Sequence, residues 1–144
     1  MSSNELLSSV AHLVFGRRTY EGFAEFWPTQ EDETARLLNA LPKTVVSRAL
    51  TKANWAPTTI ARDPHALADL KSKTEGDLLL MGSADLVASL LPLGLIDEHR
   101  LAIVPCVLGG GTPYFRAETK LELDRRDVRL FASGVTEVRC VPRR

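Results

Sequence analysis

The sequence predicts a three-layer α/β domain on a mostly parallel sheet with an antiparallel C-terminal hairpin. Three observations carry that reading. Apolar strand-like runs alternate with amphipathic stretches through the first two thirds of the chain. The stretch DLLLMGSADLVASLL, Asp77 to Leu91, orders a buried strand, a glycine turn, a helix cap and a helix. The last third changes character: two alternating runs flank Ser133-Gly134, the pattern of a β-hairpin.

Each element follows from local chemistry. Asn4–Ala11 reads as a helix with Leu6, Leu7 and Val10 inward, and Leu13–Phe15 as a short buried strand. In GRRTYEGFAEFW, Thr19 is placed to cap a helix that Pro28 ends. Thr34–Leu41 is a second helix, stopped by Pro42. Thr44–Ser47 and Thr58–Ala61 are strands on either side of the turn Trp55-Ala56-Pro57. Asp63-Pro64 opens a helix that Gly76 closes, since Asp caps well and Pro suits the first helical position. Leu78–Met81 is continuously apolar, as expected of a strand covered on both faces. Gly82 permits a tight turn, Ser83 or Asp85 caps the next helix, and Leu86, Val87, Leu90 and Leu91 form its inner face. His99–Leu108 reads as one long strand, Gly109–Gly111 as a flexible loop, and Val128–Ala132 with Val135–Pro142 as the hairpin.

The 144 residues contain no linker, repeat or low-complexity segment and read as a single domain, 1–144. Lys+Arg and Asp+Glu are both 18, so nothing in the charge balance points to nucleic acid or an anionic membrane. No apolar run approaches the ~20 residues needed to span a bilayer. The first ten residues lack the pattern of a secretory signal, so a cytoplasmic protein is expected. Cys106 and Cys140 make neither a disulfide framework nor a metal site, and read as buried free thiols. His12, His65 and His99 are scattered without a second ligand, so no metal is expected.

Two strand ends share one design. Leu13–Phe15 leads into Gly16-Arg17-Arg18-Thr19, and Leu78–Met81 leads into Gly82-Ser83-Ala84-Asp85. In an open α/β sheet, ligands gather at the carboxyl ends of strands, where helix N-termini point free N–H groups at anions. The first turn adds two guanidinium groups, whose planar forks suit phosphate oxygens. A third strand end brings Ser47 and Arg48. Taken together, these groups suggest a dinucleotide with an extra phosphate, NADP rather than NAD. Taken singly, each arginine reads better as a solvated surface residue, and only the set points to phosphate.

GRRTYEGFAEFWP, LNALPKTVVSRAL, GDLLLMGSADLVASLLPLGLIDEHRL and PCVLGGGTPYF follow one another in an order that resembles the dihydrofolate reductase-like superfamily. Within it, they are most similar to the C-terminal reductase domain of the riboflavin-biosynthesis protein RibD, over about Leu6 to Val141. The resemblance implies a three-layer α/β/α dihydrofolate reductase-like fold, an NADPH cofactor lying across the strand ends, a small-molecule substrate and a homodimer joined through the antiparallel edge or hairpin. By position it implies that Gly16, Arg17, Arg18 and Thr19 face the adenosine and pyrophosphate. Ser47 and Arg48 would lie near the adenine and its 2′-phosphate, and Gly82, Ser83, Ala84 and Asp85 would form the pyrophosphate turn. Met81 and Gly109, Gly110 and Gly111 would border the substrate cleft. No catalytic residue is assigned. The chemistry implied is hydride transfer to a pterin-, pyrimidine- or imine-type substrate.

Two departures bear on that expectation. Riboflavin-pathway reductases of this family typically end the strand before the turn with Glu-Gly-Gly, whereas Met81 stands at the acidic position here. A thioether neither donates a proton nor pairs with a polar substrate. This weakens the expectation of ribosylaminopyrimidine reduction and opens a rival reading, a catalytically degenerate nucleotide-binding or scaffold protein. Family members also begin with an inner strand and loop that have no counterpart in this sequence. Leaving out an inner strand orphans backbone groups at ~1–3 kcal/mol each, against a whole-domain stability of ~5–15 kcal/mol. Three expectations follow: the sequence is an N-terminally truncated product, a partner supplies the strand, or the sheet closes differently.

Other residues carry a plain structural reading beside a functional one. Glu21 and Glu25 read as a solvated helix face rather than proton donors, and Tyr20 and Trp27 as core rather than stacking platforms. Trp55 reads as the plug of a turn. Tyr114-Phe115 serves equally as a pocket wall or as the anchor of the glycine loop.

Overall fold

The computed structural model describes residues 3–82, 84–116 and 118–143. Helix α1 (Ser3–Ser9) runs directly into strand β1 (Val10–Gly16), followed by helix α2 (Arg17–Phe26), helix α3 (Glu33–Ala40) and strands β2 (Lys43–Val46) and β3 (Thr58–Ala61). Helix α4 (Ala66–Lys73), strand β4 (Asp77–Leu80) and helix α5 (Ala84–Leu90) come next, then strands β5 (His99–Ile103), β6 (Leu123–Leu130) and β7 (Thr136–Pro142). None of the helices is long and apolar enough to cross a membrane.

β1 to β4 form a parallel sheet in the order β3-β2-β1-β4. β1 is its central strand, and its side chains separate two cores. Leu13 and Phe15 pack on one face with Leu7 of α1, Tyr20 of α2, Leu38 of α3, Val45 and Trp55. Val14 points to the other face and packs with Leu67 of α4 and Leu86 and Leu90 of α5. The alternation along one buried strand thus creates the predicted three layers. Phe15 anchors the first core, with the Phe23 ring centroid 5.5 Å away and the Trp55 centroid 5.8 Å away. Tyr20 is fully committed to this core: its hydroxyl accepts from the Trp55 backbone N–H at 3.0 Å.

The antiparallel strands differ from expectation. They form a separate three-stranded sheet, ordered β5-β7-β6, rather than an edge added to the parallel one. β4 and β5 are therefore both edge strands among the described residues. Other boundaries also move. The first strand begins at Val10 rather than Leu13, because pairing with β4 claims residues that helical spacing had assigned to α1. The strand from His99 stops at Ile103 instead of Leu108, consistent with Pro105, which has no N–H to give a ladder. α2 starts at Arg17 with Gly16 as its cap residue, and Thr19 falls inside its first turn. Cys106 is exposed, not buried, whereas Cys140 is buried as expected.

Candidate functional site

The strand order places a switch point between β1 and β4. From β1 the chain moves outward through β2 and β3, then returns to β4 on the other side of β1. Ligands in open α/β sheets bind at the carboxyl ends of the strands where the order reverses. The two glycine turns meet at that point. The Gly16 N–H donates to the Gly82 carbonyl at 2.7 Å, and the Met81 N–H donates to the Val14 carbonyl at 3.0 Å. Gly82 has φ +127°, and a Cβ built there would lie 2.8 Å from Thr19 Oγ1. Only a glycine lets these turns approach so closely.

A cleft of about 1500 Å³ opens over these strand ends. Gly16, Arg17, Arg18 and Thr19 line it from the β1 turn, and Ser47 and Arg48 from the end of β2. Met81, Gly82, Ala84 and Asp85 line it from the β4 turn. Three separate stretches of sequence therefore converge on one cleft. Ser83 lies outside the described residues. Gly109, Gly110 and Gly111 do not join the lining: they are exposed, and a Cβ on any of them would meet nothing within 4 Å. From that segment, Thr112 and Tyr114 reach the cleft instead.

The β2 end is built as a fixed rim. Ser47 Oγ accepts from the backbone N–H of Ala49 at 3.2 Å and of Leu50 at 3.0 Å, closing the turn on itself. Arg62, just past β3, donates through Nη1 to the carbonyl of Ser47 at 3.2 Å and also reaches that of Leu50. Arg62 lines the cleft and brings a fourth guanidinium to the same rim as Arg17, Arg18 and Arg48. Arg62 follows the strand Thr58–Ala61, so its place one residue beyond a strand end is the sequence signal that marks it. Arg17 forms an exposed ion pair with Glu21 at 3.0 Å. Such an i,i+4 pair is worth only about 0.3–0.5 kcal/mol and yields readily to a multiply charged anion.

The opposite wall is different. Arg100 Nε meets Glu98 at 2.9 Å, Arg100 Nη1 meets Glu137 at 3.6 Å, and Arg139 lies 3.9 Å from Glu98. Two guanidiniums and two carboxylates offset each other there. The antiparallel register sets Arg100 opposite Arg139, a non-local pairing with no local sequence signal. Below them His99 is almost fully buried, with Nδ1 2.7 Å from the Tyr114 hydroxyl. Burial lowers the His99 pKa and raises that of Tyr114, so both stay neutral at physiological pH. Tyr114 packs edge-on and Phe115 at a tilt against the His99 ring, so they anchor their loop, and Tyr114 also walls the cleft. Asp85, in the first turn of α5, forms an ion pair with Arg116. No metal-binding cluster of His, Cys, Asp or Glu occurs among the described residues.

The parallel sheet with helices on both faces and a separate antiparallel sheet is a dihydrofolate reductase-like α/β fold. The chain belongs to the RibD C-terminal domain family, whose model matches residues 2–137. It is 30% identical over 145 residues to YyaP of Bacillus subtilis, a protein of uncharacterised function, covering 96% of this chain and 77% of that one. Among solved structures it resembles a riboflavin biosynthesis protein from Shewanella sp. PV-4. The TM-score is 0.75 at 23% identity, covering 97% of this chain and 78% of that one. Dihydrofolate reductase from Enterococcus faecalis, complexed with NADP(H) and RAB-propyl, superimposes with a TM-score of 0.65 at 12% identity. That match covers 95% of this chain and 77% of the reductase.

Proposed function

We propose that this protein is an NADPH-dependent reductase that delivers hydride to a small pterin-, pyrimidine- or imine-type substrate. The observation that carries this reading is that two glycine turns meet at the switch point of the parallel sheet and four guanidinium groups line the same cleft. In this reading the turn at Gly82, with Ala84 and Asp85, takes the pyrophosphate, and Arg17, Arg18 and Thr19 flank it. Arg48, with Ser47 and Arg62 fixing its loop, takes the 2′-phosphate that distinguishes NADPH from NADH. NADPH would supply the hydride, and the protein would orient the ring, exclude water and hold the substrate against the cleft wall at Met81 and Tyr114. The family membership and the NADP(H)-bound relative of the same fold support this assignment.

The reading includes a cytoplasmic homodimer. Its contact is the antiparallel sheet, where Ile103, Val128 and Leu130 are exposed and β6 is an edge strand among the described residues.

One observation favours a second reading. Met81 stands at the end of β4, and the carboxylates of Asp85 and Glu98 are engaged in ion pairs. The rival is a nucleotide-binding protein without turnover. Loss of NADPH absorbance across a panel of pterin, pyrimidine and imine substrates separates the two. Turnover of at least one substrate supports the reductase; tight NADPH binding without any turnover supports the rival. Rescue of a riboflavin-requiring strain would narrow the substrate to the ribosylaminopyrimidine of that pathway.

A further inference from the structure

We propose that the Tyr114 hydroxyl, held in place by the buried His99, is a hydrogen-bond donor that selects a substrate with an unprotonated ring nitrogen. The inference deepens the reductase reading and takes from it only that the substrate lies in this cleft. Tyr114 lines the cleft. Tyr20, the chain's other tyrosine, is committed to the core through Trp55 and Thr58. The Tyr114 side chain has little freedom to turn. Its ring stands edge-on to that of His99, with centroids 5.7 Å apart, and edge-on to Phe115 at 4.6 Å. Phe115 closes the group by lying 5.5 Å from the His99 centroid. The Tyr114 hydroxyl oxygen is 2.7 Å from His99 Nδ1.

The direction of that hydrogen bond follows from the other ring nitrogen. A neutral imidazole carries one N–H and one bare nitrogen. His99 is 1% exposed, and its Nε2 has no partner among the described residues. A proton on Nε2 would bury a donor with nothing to accept it, at a cost of ~1–3 kcal/mol. Buried acceptors without a donor are the commoner case, and orphaned N–H groups are rare. The proton therefore sits on Nδ1, and the Tyr114 oxygen accepts it. Burial keeps His99 from taking a second proton and Tyr114 from losing its own. A hydroxyl that accepts from His99 keeps its own proton for another partner. Among the described residues His99 is its one hydrogen-bond partner, so that proton is left for a ligand.

An O–H donor requires a lone pair opposite it. The nitrogen of a neutral C=N bond has one, whereas in an iminium ion a proton occupies it. Tyr114 thus narrows pterin-, pyrimidine- and imine-type candidates to those that enter the cleft with that nitrogen unprotonated. Neighbouring groups do not duplicate the donor. The Met81 thioether has no proton to give. The hydroxyls of Ser9 and Ser89, also on the cleft, donate to the carbonyls of Leu6 and Asp85 in their own helices.

Nitrogen NMR of the histidine rings in the ligand-free protein tests the hydrogen bond. The chain has three histidines, and the signal that moves in Tyr114→Phe belongs to His99. It is expected in the neutral form protonated on Nδ1. The form protonated on Nε2 would make Tyr114 the donor to His99 and overturn the proposal, as would no movement of any histidine signal. Calorimetric titration without cofactor, using a neutral pterin, a pyrimidine and a cyclic imine, tests the selection. At least one ring is expected to bind the wild-type protein and to bind Tyr114→Phe about tenfold or more weakly. The same ring methylated on the acceptor nitrogen, which removes the lone pair, is expected to lose as much against the wild-type protein, whatever the variant's stability. Failure of all three rings to bind, or unchanged affinity in either comparison, overturns the proposal. Neither measurement contains NADPH, so their failure and a failure of the cofactor assignment are read separately.

Discussion

Gly82 combines a left-handed backbone, φ +127°, with a neighbour, Thr19, that leaves no room for a Cβ. Gly82→Ala is expected to destabilise the protein by about 1–3 kcal/mol, read from urea denaturation. It should also weaken NADPH binding, because relief of the clash separates the two turns. Lys43 is the second position with a sharp consequence. It is 1% exposed, donates to the carbonyls of Asn39 at 3.2 Å and Leu41 at 2.7 Å, and lies 4.4 Å from the Trp55 ring centroid. Burial lowers its pKa from 10.5 to about 8. Between those values the unfolded chain holds the proton more than the folded protein does, so stability rises with pH across that window. Below pH 8 both states are protonated and the penalty for burying the charge is fully present. Lys43→Met is expected to flatten the rise, seen as urea midpoints that no longer climb from pH 8 to 10.5. The sequence showed where Gly82 had to be, because a strand and a helix abut it. It did not show Lys43 as buried, because one lysine at a strand start looks like any surface cation.

At the scale of elements, strands with apolar sequences were legible and strands with charged sequences were not. Leu78–Met81 and Val45-Val46 announce themselves. Leu123–Leu130, LDRRDVRL, holds its place through pairing with β7, including Arg129 opposite Glu137, and has almost no apolar alternation to read. The expected hairpin therefore covers nearly all of β7 but only the end of β6 nearest Ser133-Gly134. The candidate site was legible in the same uneven way. Stretches that share a strand–glycine–helix pattern were found, and the structure brings Gly16–Thr19, Ser47-Arg48 and Gly82 to one cleft. Gly109–Gly111 stays away from it, since a flexible run carries no directional information. The arginines make the reading testable one element at a time. Arg48→Ala, at the end of β2, is expected to lower NADPH affinity about tenfold or more and leave NADH affinity nearly unchanged. Arg18→Ala, at the start of α2, should weaken both cofactors, because both carry the pyrophosphate. Isothermal titration with each nucleotide distinguishes these outcomes.

For the whole molecule, the sequence conveyed the three layers but not the division of the sheet. Alternating strands and helices imply a parallel sheet, and late alternating strands imply antiparallel pairing. Which strands pair is a non-local property that neither pattern specifies, and here the antiparallel strands pair only with one another among the described residues. The exposed face of the antiparallel sheet belongs to this scale too. Leu130, 79% exposed on the edge strand β6, is where the proposed homodimer would make contact. Leu130→Lys is expected to shift a dimer to monomer in sedimentation velocity without changing the far-ultraviolet circular dichroism. The proposed function requires that the switch point between β1 and β4 hold a phosphorylated dinucleotide. Titration of purified protein with NADPH and NADH in parallel tests it most directly. NADPH is expected to bind with micromolar affinity and clearly more tightly than NADH. Failure to bind either nucleotide, or equal affinity for the two, would contradict the assignment.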